Sequence, residues 1–184
     1  TRVVVVSIDI NSESGTISSV TVGGITATLA VGHAGVNPSR ARTAIYYAEV
    51  PTGTTANVVV TTSETLDYWI AISVYSMTGS AGYSVDSTTA QDFTDDTTPG
   101  GVTYTVNVPA GGAAFFVAGA ATSSSLGDAT WTNATEDALS VPGSYCEAAF
   151  AHLTTATALT SYSVQVGNLS PDFGHGSCSV SFAP

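Results

Sequence analysis

Alternation with a period of two dominates the chain. Val4-Val5-Val6-Ser7-Ile8-Asp9-Ile10 begins as an unbroken apolar run and ends alternating, which predicts a strand passing from a doubly covered centre toward an edge. Thr16–Val22 alternates, Gly23-Gly24 permits the positive φ values of a tight hairpin, and Ile25–Leu29 returns. A loop follows over Gly32–Arg42, with the turn-forming Asn37-Pro38-Ser39. Strands over Thr43–Ala48 and Thr55–Thr62 flank Val50-Pro51-Thr52-Gly53, and strands over Val102–Val108 and Ala114–Ala120 flank the similar Val108-Pro109-Ala110-Gly111. In both motifs proline withdraws an amide donor and fixes φ, and glycine two residues on accepts a left-handed conformation, so two hairpins of one design are expected. The recurrence fits a distant internal duplication and, more simply, a shared turn type.

Tyr68–Tyr75 is apolar on both parities for most of its length and reads as a central strand. Thr78–Gly101 is a long polar passage of turn composition with only short strand fragments. Ala129–Thr132, the acidic segment Asn133–Asp137, and strands over Ser144–Leu153, Ser161–Val166 and Cys178–Phe182 complete the chain. About ten short strands without a convincing helix predict an all-β fold: a single antiparallel β-sandwich domain over 1–184, jelly-roll or immunoglobulin-like.

Composition sharpens this picture. Hydrophobic residues make up 43% of the 184 residues and charged ones only 9%, against about 25% in ordinary domains, so solubility rests on Ser, Thr, Gly and Asn. Lysine is absent, and the only cations besides histidine are Arg2, Arg40 and Arg42, against 14 acidic residues and a net charge of −11. Such a surface disfavours nucleic acid, whose phosphates require a basic face, and an anionic membrane for the same reason. No apolar run has the length of a spanning helix. The opening TRVVVVSIDI reads as a strand already under way rather than a signal peptide, and an upstream segment is expected to be missing.

Candidate chemistry is sparse. His33, His152 and His175 lack a second ligand at a metal-binding spacing, no Gly-x-Ser-x-Gly elbow marks a nucleophile, and no pair among the 14 acids stands out as a glycosidase pair, so no catalytic residue is assigned. Asp92, Asp95 and Asp96 place hard oxygen ligands close together in a loop and are the candidate calcium site, although their spacing is that of no standard calcium motif. Tyr46, Tyr47, Tyr68, Trp69, Tyr75, Tyr83 and Trp131 are of the type that stacks on sugar rings; most alternate within strands and are expected in the core or an interface, and Tyr83 and Trp131 are the candidate surface aromatics. Cys146 and Cys178 are either bonded across adjacent strands or buried thiols, and the sequence leaves both open.

The succession RVVVVSIDI, TISSVTVGGITATLA, AIYYAEVPTGTTANVVVTTS, YWIAISVYSMTG, YTVNVPAGGAAFFVAGA and ATWTNATED resembles β-sandwich virion structural proteins of tailed bacteriophages, of the decoration, spike, fibre or tail kind. The resemblance extends over most of the chain and lies in the order of the segments more than in any one of them. It implies a location in the extracellular particle, partners among other virion proteins and copies of itself, contact with a host-surface glycan, and no cofactor or catalytic residue. The competing expectation is a secreted or cell-surface carbohydrate-binding or adhesion module, suggested by the aromatic residues and acidic loops.

Overall fold

The computed structural model describes residues 2–34, 41–51, 55–66, 68–79, 82–91, 100–121, 129–140, 146–169 and 174–184. Among them there are fifteen strands and no helix. In chain order these are β1 (Arg2–Asn11), β2 (Ile17–Val22), β3 (Ile25–Thr26), β4 (Thr28–Ala34), β5 (Ala41–Val50), β6 (Val58–Thr62), β7 (Trp69–Thr78) and β8 (Ser84–Gln91). They continue as β9 (Gly100–Val108), β10 (Ala113–Ala121), β11 (Thr130–Thr132), β12 (Thr135–Ser140), β13 (Cys146–Thr154), β14 (Leu159–Leu169) and β15 (Gly174–Ala183). All pairings are antiparallel, as the expected β-sandwich class requires.

The strands form four sheets, ordered β4-β5-β1-β7, β3-β2-β6, β12-β13-β10-β15-β8 and β11-β14-β9. Three apolar cores stack them into four layers. Val4, Val6, Ile8 and Ile10 of β1 pack with Val20 and Val22 of β2, joining the first sheet to the three-stranded sheet outside it. Ala114, Phe116 and Ala118 of β10 pack with Tyr104, Val106, Val164 and Val166 of the outer sheet on the other side. Between the two large sheets, Val3, Val5 and Ile45 meet Phe115, Val117, Phe150 and Phe182. β1 and β10 therefore lie at the centre with both faces buried, and that is why their sequences are apolar at consecutive positions.

The chain follows one path twice. β1 is an inner strand, β2 and β3 outer, β4 and β5 inner, β6 outer and β7 inner; β10 to β15 repeat this as inner, outer, inner, inner, outer, inner. The inner sheets match strand for strand, β4-β5-β1-β7 against β12-β13-β10-β15, with Val5 opposite Tyr47 and Tyr75 as Phe115 is opposite His152 and Val180. β8 and β9 are additions to the second unit, one beside β15 and the other beside β14.

Several expectations are corrected by this topology. The Gly23-Gly24 hairpin is present, with φ of 59° and 81°, but its second strand leaves the outer sheet at Ala27 and continues as β4 in the inner one. Neither Val-Pro-x-Gly motif closes a hairpin. β5 and β6 belong to different sheets, as do β9 and β10, so each motif marks a corner where the chain crosses between layers. The second corner is a turn in which Gly112 N–H donates to the Pro109 carbonyl at 2.9 Å, with Gly111 at φ 76° as a type II turn requires. The first motif's residues 52–54 lie outside the described residues. The polar passage after Thr78 contains an eight-residue strand, β8, and the acidic segment leads into β12. The segment expected at the centre of a sheet, Tyr68–Tyr75, is β7, at an edge.

Candidate functional site

Buried groups with displaced titration come first, because reactive centres are made from them. Asp9 projects from β1 between the inner sheets and is 1% exposed, with both carboxyl oxygens lacking a hydrogen-bond partner among the described residues. Its carboxyl is held well above the usual carboxylate range by burial. A Cβ at Gly119 of β10 would collide with it, so glycine there accommodates the acid. Burial also pushes the Cys178 thiol up to about 12, and it raises the Tyr104 hydroxyl, which donates to the Val117 carbonyl at 3.3 Å. Glu147, fully buried, accepts from Ala129 N–H at 3.0 Å. These groups lie in the cores, closed to a substrate, and act as parts of the packing.

The residues singled out in the sequence are scattered by the fold. Asp92, Asp95 and Asp96 lie outside the described residues, and among the described ones no three His, Cys, Asp or Glu side chains gather as metal ligands. Cys178 is a free thiol, and β10 runs between the strands that carry Cys146 and Cys178. Cys146 is opposite Ala121 and Cys178 opposite Val117, so two strand spacings of about 4.8 Å and four residues separate them, which excludes a disulfide. His152 pairs with Asp137 at 2.6 Å on the surface of β12 and β13.

The two aromatic candidates have different surroundings. Trp131 stacks on Tyr104 at 6.1 Å between ring centres and lies 5.8 Å from Phe116, so it closes the rim of a core. Tyr83 lines an open cleft of about 440 Å³ with Ser76, Met77, Gly111, Gly112, Thr154 and Thr155. This cleft contains hydroxyl and backbone groups beside one aromatic ring and no charged side chain.

The most unusual surface is the outer edge of β7. Ile70, Ile72 and Val74 are 37%, 43% and 50% exposed on the face that β1 buries with Ile10, Ile8 and Val6 directly opposite. Among the described residues the outer sheet ends at β6, which leaves that face bare. β7 pairs with β1 over ten residues in unbroken register and contains no proline and no charge. Every other described edge strand is shorter than β7, and those of five residues or more have register shifts: β4, β6, β8, β9 and β12. Short strands, bulges and charges are the usual devices that keep an edge from pairing with another chain, and β7 lacks them. The signal for this site is in the sequence: a segment apolar on both parities is either covered twice or is an edge left apolar on its open face. No family model, curated protein or solved structure matches this chain.

Proposed function

We propose that this chain is a non-enzymatic structural subunit of a tailed-bacteriophage particle, a capsid decoration, spike, fibre or tail component that works by packing against copies of itself and other virion proteins. The observation that carries the reading is the uncharged, uninterrupted edge of β7 with its exposed Ile70, Ile72 and Val74. In a free monomer such an edge invites aggregation, and in an assembly it is covered. The sparse charge supports the same reading, because few ionic tips must be desolvated when surfaces meet. The order of the strand segments resembles that of virion β-sandwich proteins and supplies the kind of assembly. The test is mass spectrometry and cryo-microscopy of purified particles from a lysate that expresses the chain. Stoichiometric copies at a symmetric position are expected, and absence from every particle defeats the reading.

A second reading, a carbohydrate-binding or adhesion module, is favoured by the Tyr83 cleft. An aromatic ring beside hydroxyl and backbone groups suits a sugar's apolar face and its hydroxyls. Saturable binding on a glycan array, lost in Tyr83→Ala with folding intact, supports it; no binding at millimolar glycan removes it.

A further inference from the structure

We infer that the Tyr83 cleft is a site for an uncharged sugar, held by its C–H face on the Tyr83 ring and by its hydroxyls on Ser76 and Thr154. The inference rests on the carbohydrate reading above and deepens it by naming the ligand class and the groups that select it.

The cleft forms where the two units meet. Ser76 and Met77 come from the end of β7, Gly111–Ala113 from the corner that enters β10, and Thr154 and Thr155 from the end of β13, with Tyr83 in the connection before β8. Met77 and Ala113 belong to the core between the inner sheets and supply the buried apolar part of the lining.

Both sides of the site are set before a ligand arrives. Gly82, with φ of 81°, turns the chain into Tyr83, and a Cβ at Gly79 would lie 3.0 Å from the Tyr83 ring, so glycine there lets the ring settle against the backbone. The Tyr83 hydroxyl lies 3.5 Å from the Thr78 carbonyl. On the second unit, Gly111 N–H donates to the Thr155 carbonyl at 2.9 Å and Thr155 N–H to the Gly112 carbonyl at 3.2 Å, while the Thr155 hydroxyl bonds within its own turn to Thr157. These bonds do not use the side chains of Ser76 and Thr154, both of them exposed. A site organised in advance spends little of a small ligand's binding energy on ordering the protein.

The chemistry selects against charge. No Arg, Lys, His, Asp or Glu lines the cleft. A Glu49 carboxylate oxygen lies 4.0 Å from the Cβ position of Gly82, beside Tyr83, and Arg2, opposite Thr78 in the sheet, stays outside the lining. A sugar bearing a carboxylate would give up water without gaining a cation, on a molecule of net charge −11. A neutral pyranose has a C–H face for the aromatic ring and hydroxyls for two side-chain hydroxyls and the backbone. A volume of about 440 Å³ takes about one or two such rings.

Ligand-observed NMR and calorimetry on the full chain test this, with glucose, galactose, mannose and N-acetylglucosamine oligosaccharides as neutral probes and sialyllactose and glucuronate oligosaccharides as acidic ones. A neutral probe is expected to saturate with a dissociation constant of about 0.1–10 mM, unchanged between low salt and about 0.5 M NaCl. Tyr83→Ala weakens binding about tenfold or more and Tyr83→Phe does not, because the ring face carries the contact. Thr154→Val weakens it about threefold to tenfold and, being exposed, keeps the site testable if Tyr83→Ala unfolds. Tyr68→Ala, at an aromatic ring 50% exposed outside the cleft, leaves binding unchanged. Binding confined to the acidic probes, binding abolished by salt, or binding indifferent to both Tyr83→Ala and Thr154→Val overturns the inference and leaves the carbohydrate reading standing. No binding of any probe up to about 10 mM overturns both.

Discussion

Replacing Phe115 by alanine tests whether the two units form one cooperative body. Phe115 is 3% exposed between the inner sheets, with Tyr75 of the first unit 4.7 Å away and Phe182 of the second 5.9 Å away, ring centre to ring centre. Phe116, its neighbour on β10, faces the other way into the second unit's own core, 5.3 Å from Tyr104. Removing a buried phenyl ring costs about 3–5 kcal/mol, and a core between units that packs like a core within one gives the same figure for Phe115→Ala as for Phe116→Ala. That is a large part of the roughly 5–15 kcal/mol that holds an ordinary domain together. Two tryptophans make the measurement selective: Trp69 on β7 reports the first unit and Trp131 on β11 the second. With Trp131→Phe and Trp69→Phe backgrounds, urea unfolding followed by fluorescence gives one transition for each reporter. The two are expected to coincide, and Phe115→Ala is expected to move both by the same 3–5 kcal/mol. A loss below about 1 kcal/mol, or separated transitions in the parent protein, refutes a continuous core between the inner sheets.

Other consequences follow from single residues. Asp9 has a folded-state pKa raised by burial, so the stability it contributes is complete below its unfolded pKa of about 3.9 and is lost as pH rises toward the folded value. Asp9→Asn is therefore expected to be the more stable protein at neutral pH, with an advantage that shrinks to nothing near pH 4 in thermal melts; a constant difference across pH contradicts the assignment. Gly112→Ala puts a Cβ into the Phe182 carbonyl oxygen at the corner before β10, and a loss of about 1–3 kcal/mol in urea is expected, whereas an unchanged midpoint means the corner is free to move. Trp131→Ala opens the rim of the core around Tyr104 and Phe116 and is expected to cost about 2 kcal/mol or more. Loss of glycan binding at unchanged stability would instead make Trp131 a ligand platform.

What was legible in the sequence was the part written into both parities of a strand. β1 and β10 are buried on two faces, so apolar residues at consecutive positions announce them, and the Gly23-Gly24 turn announces its hairpin through φ. The Val-Pro-x-Gly corners were legible only in half. Proline and glycine say that pairing stops and the chain turns, but not in which sheet it resumes, because that is decided by which apolar face finds cover. β8 was hidden because SVDSTTAQ is held chiefly by backbone pairing to β15, with only Val85 reaching the core between the inner sheets, and backbone hydrogen bonds leave little trace in hydropathy. For the candidate site, Ile70, Ile72 and Val74 were visible but were assigned to a sheet centre. A row of β-branched residues reads the same when covered and when bare, and the width of the neighbouring sheet distinguishes the two cases.

The repeated path explains why that width differs. Each unit needs a doubly buried strand, β1 or β10, flanked by the strand two corners later and by the last strand of its unit. In the second unit β8 and β9 precede the central strand and complete the far side, so β15 can have serines there. Among the described residues the first unit has the same plan without that pair, and the outer edge of β7 is bare. Small residues at Ile72 and Val74, as on β15, would have made this edge harmless in water at no cost to the core, since neither side chain points between the inner sheets. Their replacement by isoleucine and valine makes sense where the face is covered in use. Among the described residues the bare edge is thus where two otherwise matching units differ, and it is confined to a single strand.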